Sequence, residues 1–203
     1  MPFYKTYPPL LLGLILVISL VSGLQFLAGP ELEDTMLRTG ALLDADQFRG
    51  IKQPLGPYAS YVLHIFLHGG LWHLGMNMWA LATFGKPAVQ VLGSGIRSSL
   101  VFLAFFAFCA IGGAAAQAIE FRFTDGGFML GASTAISGLI PAVGWLIGGW
   151  KRAIKISLPW FLINVALAFA GDMLPIQLSW SGHLGGLAAG FAFPFFLVLA
   201  RRR

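Results

Sequence analysis

Apolar residues dominate six stretches of this chain, and shorter, more polar connections separate them. The stretches cover residues 9–28, 60–84, 98–119, 132–150, 157–171 and 181–200. A helix that crosses a bilayer needs about 20 mostly apolar residues, and most of the stretches approach or reach that length. The pattern therefore predicts an all-α, polytopic membrane protein built as a bundle of six transmembrane helices.

Composition agrees with a lipid environment. Of the 203 residues, 57% are hydrophobic and only 10% are charged, compared with about 25% charged in an average soluble domain. Six spans use most of this length, and no repeat or low-complexity tract marks a boundary. We therefore predict a single domain over residues 1–203. The connection at residues 29–59 is unusually long for such a bundle, which predicts that it packs or has a function.

The charges predict an orientation. Six spans place both termini on one side, and nine of the thirteen basic residues then fall on that side. They are Lys5, Lys86, Arg97, Lys151, Arg152, Lys155 and the arginines at 201–203. By the positive-inside rule the termini are cytoplasmic, and we expect the cytoplasmic membrane of a bacterium. The basic residues lie at segment ends and form no stripe, so nucleic acid is not an expected partner.

Polar side chains inside apolar segments are costly, so they are the first candidates for function. In an alternating topology the second, fourth and sixth segments run inward from the outer face, and their first turns share one depth. The candidates in these segments are His64, His68, His73, Asn77, Ser133 and His183.

Ser133 and His183 can form a nucleophile and a general base if they meet, because a serine hydroxyl needs a neighbour to take its proton. Glycines at 182, 186 and 190 repeat every four residues, a spacing that lets helix backbones approach closely in lipid. His73 and Asn77 lie four residues apart on one helical face. With the Ser133 backbone N–H, they are suitable donors to a developing oxyanion. Every acidic residue is assigned to the outer face, so we expect a Ser–His dyad with no carboxylate beside it.

Taken singly, Ser133 and His183 would more often be helix-packing residues, and their shared depth is what favours catalysis. His64 and His68 lie nearest the outer interface, which favours structural or loop-anchoring roles. Zinc is not expected, because the step from His68 to His73 turns the ring to another face and no embedded Cys or carboxylate completes a site. We expect no cofactor. The single cysteine, Cys109, excludes an internal disulfide.

These motifs together resemble the rhomboid intramembrane proteases over all six segments. The resemblance rests on H-x-x-x-H-x-x-x-x-H-x-x-x-N from His64 to Asn77, G-x-S ending at Ser133, and G-H-x-x-G-x-x-x-G around His183. It implies that Ser133 is the nucleophile and His183 the base and later the acid, with His73 and Asn77 stabilising the oxyanion. It also implies single-span membrane proteins as substrates, cut near the outer face of the lipid bilayer.

Two positions depart from the family pattern. Thr134 stands where G-x-S-G has its second glycine, which is expected to crowd the turn at the nucleophile. Ser137 stands where some members carry an aromatic residue that packs on the catalytic histidine. A catalytically inactive rhomboid-like protein that binds membrane clients therefore remains an alternative. A small transporter is a weaker one, because the polar residues cluster near one face and no midplane acid–base chain crosses the bundle.

Overall fold

The computed structural model describes residues 7–124, 126–170 and 179–201, and these are mostly helical. The helices are α1 (Pro9–Leu27), α2 (Pro30–Gly40), α3 (Ser60–Leu63), α4 (Leu71–Leu92), α5 (Ile96–Glu120), α6 (Ser133–Ala170), α7 (Trp180–Gly190) and α8 (Phe193–Arg201). A 3₁₀ turn, His64–Phe66, follows α3. Strands β1 (Leu42–Leu43) and β2 (Phe128–Met129) form a two-stranded antiparallel sheet.

Apolar side chains cover the outside of the helices as well as the core. On α1, Leu12, Leu16, Leu20 and Leu24 share one face and are between 52% and 63% exposed. A soluble protein rarely leaves so continuous an apolar face uncovered. Helices α1, α5 and α6 are long and apolar enough to cross a membrane, and the pair α7 and α8, bent by 43°, would make a fourth span. The chain is an integral membrane protein with several apolar helices, and the count of six spans stays a prediction.

The second apolar segment, predicted as one span over residues 60–84, is divided. α3 and the 3₁₀ turn end at Phe66, and α4 starts at Leu71. The break begins at Leu67, which is in extended backbone, and ends at Gly70, whose φ of +126° is a conformation that residues with a Cβ rarely adopt. The predicted single helix was therefore wrong here, and His64 and His68 do not share a helix with His73.

The fourth and fifth segments form one assigned helix, α6, that is not helical at Gly148 and Gly149. We call residues 133–147 its first arm and residues 150–170 its second arm. Trp160 of the second arm hydrogen-bonds Ser137 of the first, and a Cβ added to Gly144 would lie 2.6 Å from Cα of Ala153. Residues at equal distances from the break meet, so the arms are antiparallel. The connection predicted at residues 151–156 is wrong, because these residues are already helical.

The long connection at residues 29–59 packs, as its length predicted. It contains α2 and β1, and β1 pairs Leu42 with Met129 of β2, which lies four residues before Ser133. The Gln53 side chain donates to the backbone carbonyls of Arg38 and Ala41 at 3.2 and 3.4 Å. The loop is thus joined to the segment that leads into α6.

Helix α7 lies between α5 and the first arm of α6. At several points the backbone of α7 lies directly against the backbone of its neighbour, with no side chain between them. A Cβ added to Gly186 would collide with the Thr134 carbonyl oxygen, and one added to Gly190 would collide with that of Gly138. On the α5 side, a Cβ on Gly185 would collide with the backbone of Gly112. The predicted close approach of the helix that carries His183 is therefore present.

Candidate active site

Ser133 and His183 are in hydrogen-bond contact although 50 residues separate them. Ser133 is the first residue of α6, and His183 lies in the first turn of α7. Ser133 Oγ lies 2.8 Å from His183 Nε2, and His183 is 5% exposed. The glycine contacts between α7 and α6 set this spacing, since a larger side chain at Gly186 would separate the two helices.

The second ring nitrogen of His183 contacts Asn164, from the second arm of α6. His183 Nδ1 lies 2.8 Å from Asn164 Oδ1, and the Asn164 Nδ2 donates to the Trp160 carbonyl at 2.8 Å. A side-chain carbonyl oxygen only accepts, so Nδ1 carries the ring hydrogen. Nε2 is then the acceptor, and the Ser133 hydroxyl donates to it.

An aromatic ring packs on His183, and it comes from Trp160. The two ring centres are 5.3 Å apart at an angle of 44°. The indole N–H of Trp160 donates to Ser137 Oγ at 2.9 Å, and the Ser137 hydroxyl donates to the Ser133 carbonyl at 2.7 Å. Ser137, which stands where an aromatic residue was considered, instead anchors an aromatic residue from the other arm.

His73 lies beside Ser133, near the start of α4. A Cβ added to Gly131 would lie 2.9 Å from His73 Nε2 and 3.8 Å from Ser133 Oγ, so these atoms border one small space. The Gly69 N–H donates to His73 Nδ1 at 3.3 Å. That bond leaves the ring hydrogen on Nε2, as a donor to an oxyanion requires. Gly131 itself has φ of +116°, so glycine is needed there for its backbone as well as for space.

Asn77 lies one turn further along α4 and is 6% exposed. Its Nδ2 donates to the His73 carbonyl at 2.9 Å. An amide nitrogen carries two hydrogens, so one donor of Asn77 remains beyond this bond. The backbone N–H of Ser133 adds another donor, because the first N–H groups of a helix have no intrahelical acceptor and the helix dipole favours negative charge there.

Thr134 fits its position without crowding the turn, contrary to expectation. A Cβ on Gly113 of α5 would lie 2.6 Å from Thr134 Cβ, so this glycine provides the room. The Thr134 hydroxyl lies 2.8 Å from His64 Nε2, and His64 Nδ1 lies 2.8 Å from the Ser60 carbonyl. Nδ1 is therefore the donor to Ser60, and Nε2 accepts from Thr134.

His68 anchors the loop that precedes Ser133. The Ala132 N–H donates to His68 Nε2 at 3.4 Å, and His68 Nδ1 lies 2.8 Å from Ser22 Oγ. Gln25 of α1 holds the His68 backbone with two bonds of 3.0 Å. His64 and His68 thus use both ring nitrogens in hydrogen bonds, which agrees with their predicted structural roles.

Polar contacts also fix the start of α7. Ser181 Oγ lies 2.9 Å from Gln117 Oε1 and 2.6 Å from Glu120 Oε2, and it donates to one of them. Ser179 Oγ contacts the same Gln117 oxygen. The end of α5 therefore holds the turn from which His183 projects.

Asn164 and Trp160 were not among the predicted site residues. Asn164 is fully buried within an otherwise apolar segment. A buried amide in a membrane helix is costly unless it is paired, and that signal could have identified it. Trp160 has no comparable signal, since tryptophan is common in membrane proteins and its partner is set only by the fold.

The arrangement contains the groups that acyl transfer at a serine requires. A serine hydroxyl donates to an imidazole nitrogen of defined tautomer, and ring and backbone N–H donors flank the same space. A nucleophile bonded to a base that a third group orients is the usual constellation for covalent catalysis at serine.

Comparison with known proteins gives one consistent family. A family model described as the Rhomboid domain matches residues 56–200, which include all four predicted site residues. The chain is 32% identical over 141 residues to RHOMBOID-like protein 6, mitochondrial, of Arabidopsis thaliana, covering 66% of this chain and 42% of that protein. It is 30% identical over 157 residues to RHOMBOID-like protein 9, chloroplastic, of the same plant, covering 70% and 31%. The chain spans less than half the length of these relatives.

Proposed function

Because this chain belongs to the rhomboid family, we propose that it is an intramembrane serine endopeptidase that cuts other membrane proteins. Ser133 attacks the scissile carbonyl carbon, and His183 Nε2 takes the hydroxyl proton. His183 then returns that proton to the leaving amine, which leaves an acyl-enzyme. Water, activated by the same nitrogen, hydrolyses this ester and regenerates Ser133.

One observation supports this proposal above the others. Ser133 Oγ and His183 Nε2 are 2.8 Å apart, and the Nδ1 contact with Asn164 leaves Nε2 as the acceptor. A helix-packing pair would not need a defined tautomer, whereas a general base does. The second support is the donor set of His73 and the Ser133 N–H beside the nucleophile, with Asn77 as a further candidate donor one turn away.

The substrates that fit this proposal are single-span membrane proteins. In the six-span topology, with cytoplasmic termini and a bacterial cytoplasmic membrane, the dyad lies near the outer ends of its helices. Water needed for deacylation reaches that depth more easily than the bilayer centre. We expect cleavage near the outer face, at a stretch of substrate that has left its helix.

The test is labelling of the purified protein in detergent with a fluorophosphonate, a probe that reacts with activated serines. We expect the wild type to be labelled, and Ser133→Ala and His183→Ala to be unlabelled while they fold normally. Each single change should reduce the labelling rate nearly as much as both changes together, because the two residues act as a unit. Cleavage of a single-span reporter, mapped by mass spectrometry, should follow the same pattern.

Two results would contradict the proposal. Labelling of Ser133→Ala would place the reactive serine elsewhere. A folded wild type that neither reacts nor cleaves would favour the client-binding alternative instead.

A further inference from the structure

We propose that Asn164 is a positioning residue for the dyad: its side-chain oxygen holds the His183 ring in the tautomer and orientation in which Nε2 accepts the Ser133 proton. This inference rests on the proposed protease function, and it adds a third member from the second arm of α6. The family motifs around His64, Ser133 and His183 do not include this residue.

The orientation of the Asn164 amide follows from its own partners. Its Nδ2 donates to the Trp160 carbonyl at 2.8 Å, so Oδ1 is the atom that faces His183 Nδ1 at 2.8 Å. Turning the amide over would set its oxygen against the Trp160 carbonyl oxygen, with two acceptors in contact. Asn164 is fully buried, so no water competes for either bond.

Trp160, one turn before Asn164, supports the same ring from another direction. Its indole packs 5.3 Å from the imidazole centre, and its N–H is held by Ser137. During acylation His183 becomes a cation. An amide oxygen on Nδ1–H and the face of an aromatic ring both interact favourably with that charge. The second arm of α6 can therefore stabilise the transition state as well as orient the His183 ring in the free enzyme.

A purely structural role would give a different result. If Asn164 only joined α6 to α7, its loss would lower stability and leave the intrinsic reactivity of the folded protein unchanged. A positioning role predicts a loss in the rate of the chemical step with little change in probe binding.

The first measurement is therefore the kinetics of fluorophosphonate labelling at Ser133. Asn164→Leu removes the acceptor at similar size, and we expect the maximal labelling rate to fall at least about tenfold, with an upper limit set by the roughly 10²- to 10⁴-fold that a general base contributes. The half-saturating probe concentration should change little. Asn164→Asp keeps an acceptor for Nδ1 but replaces the donor to the Trp160 carbonyl with a second acceptor, so it should recover only part of the rate.

Ser157→Ala is the matched control. Ser157 lies two turns earlier on the same arm and is 4% exposed, and its hydroxyl has no hydrogen-bond partner among residues 7–124, 126–170 and 179–201. Its removal should leave the labelling rate at the wild-type value. If Ser157→Ala and Asn164→Leu lowered the labelling rate equally, the effect would come from the packing of the arm, and the inference would be overturned.

The second measurement reads the tautomer directly, and its wild-type spectrum tests the inference even if Asn164→Leu does not fold. The chain has four histidines, so ¹⁵N NMR of histidine-labelled protein gives few ring signals, and His183→Ala assigns one set. The wild type should show neutral His183 protonated at Nδ1, and Asn164→Leu should lose this preference. A wild-type His183 protonated at Nε2 would overturn the inference.

The outcomes also separate this inference from the proposed function. An unlabelled wild type with the expected Nδ1–H signal would refute the protease and leave the Asn164 contact standing. A labelled wild type whose rate survives Asn164→Leu would refute the positioning role alone.

Discussion

Thr134 shows how one residue outside a family pattern can be accommodated by its neighbours. Its methyl group occupies space that Gly113 of α5 leaves open, and its hydroxyl serves a fully buried His64. Thr134, the residue after Ser133, thus has two structural roles. Loss of the hydroxyl would leave a buried imidazole nitrogen without its donor.

We therefore expect Thr134→Val, which keeps the shape and loses the hydroxyl, to reduce the free energy of unfolding by about 1–3 kcal/mol. Thr134→Ser keeps the hydroxyl that donates to His64, so its free energy of unfolding should fall by less. Thermal unfolding in detergent measures both. Equal midpoints for Thr134→Val and the wild type would show that the bond to His64 contributes nothing.

At the scale of elements, α7 determines whether the site forms. Gly182, Gly186 and Gly190 face the first arm of α6, while Gly185 faces α5. Two backbones thus approach α7 from different sides, and His183 can reach Ser133 only because no side chains lie between them. The chemistry of the site therefore depends on residues that have no reactive group.

Gly186→Ala should disrupt the site without changing any polar residue. The added methyl would collide with the Thr134 carbonyl oxygen, and overpacking of this kind typically costs about 1–3 kcal/mol. We expect a lower unfolding temperature and loss of fluorophosphonate labelling.

Gly13→Ala provides the comparison for that change. Gly13 lies in α1 with nothing within 4 Å of its added Cβ. Alanine is favoured over glycine in a helix by about 1 kcal/mol, so stability and labelling should be maintained. Wild-type behaviour of Gly186→Ala would contradict the close approach of α7 and α6.

At the scale of the whole molecule, the described residues expose much apolar surface, and several of the buried polar side chains lie at the candidate site. The exposed leucines of α1 and the buried pair of His183 and Asn164 illustrate the two extremes. Such an inverted distribution is stable only in lipid, where each backbone polar group must be satisfied within the protein. The proposed orientation in that lipid follows from charge alone.

A reporter that is active only outside the cytoplasm should be inactive when fused after residue 203, because nine of the thirteen basic residues accompany the termini. The same reporter inserted in the loop at residues 29–59 should be active. Activity at the C-terminus but not in the loop would refute the orientation, whereas activity at both positions would refute the even number of spans.

The sequence by itself determined the membrane class, the family and the residues of its motifs. Hydropathy is a local property, and the motifs around His64, Ser133 and His183 can be recognised without knowing how the chain folds. The family is confirmed, whereas the catalytic roles of Ser133, His183, His73 and Asn77 stay predictions. The spacing of Gly182, Gly186 and Gly190 also predicted the close helix contact, since small residues act through their size alone.

Only the tertiary structure decided which side chains from separate helices meet. Asn164 and Trp160 reach His183 because α6 reverses direction at Gly148 and Gly149. Thr134 fits because α5 places Gly113, which has no side chain, directly against it. These contacts depend on the rotation and depth of one helix against another. No spacing within a single segment encodes that relation, because it arises from the packing of all the helices at once.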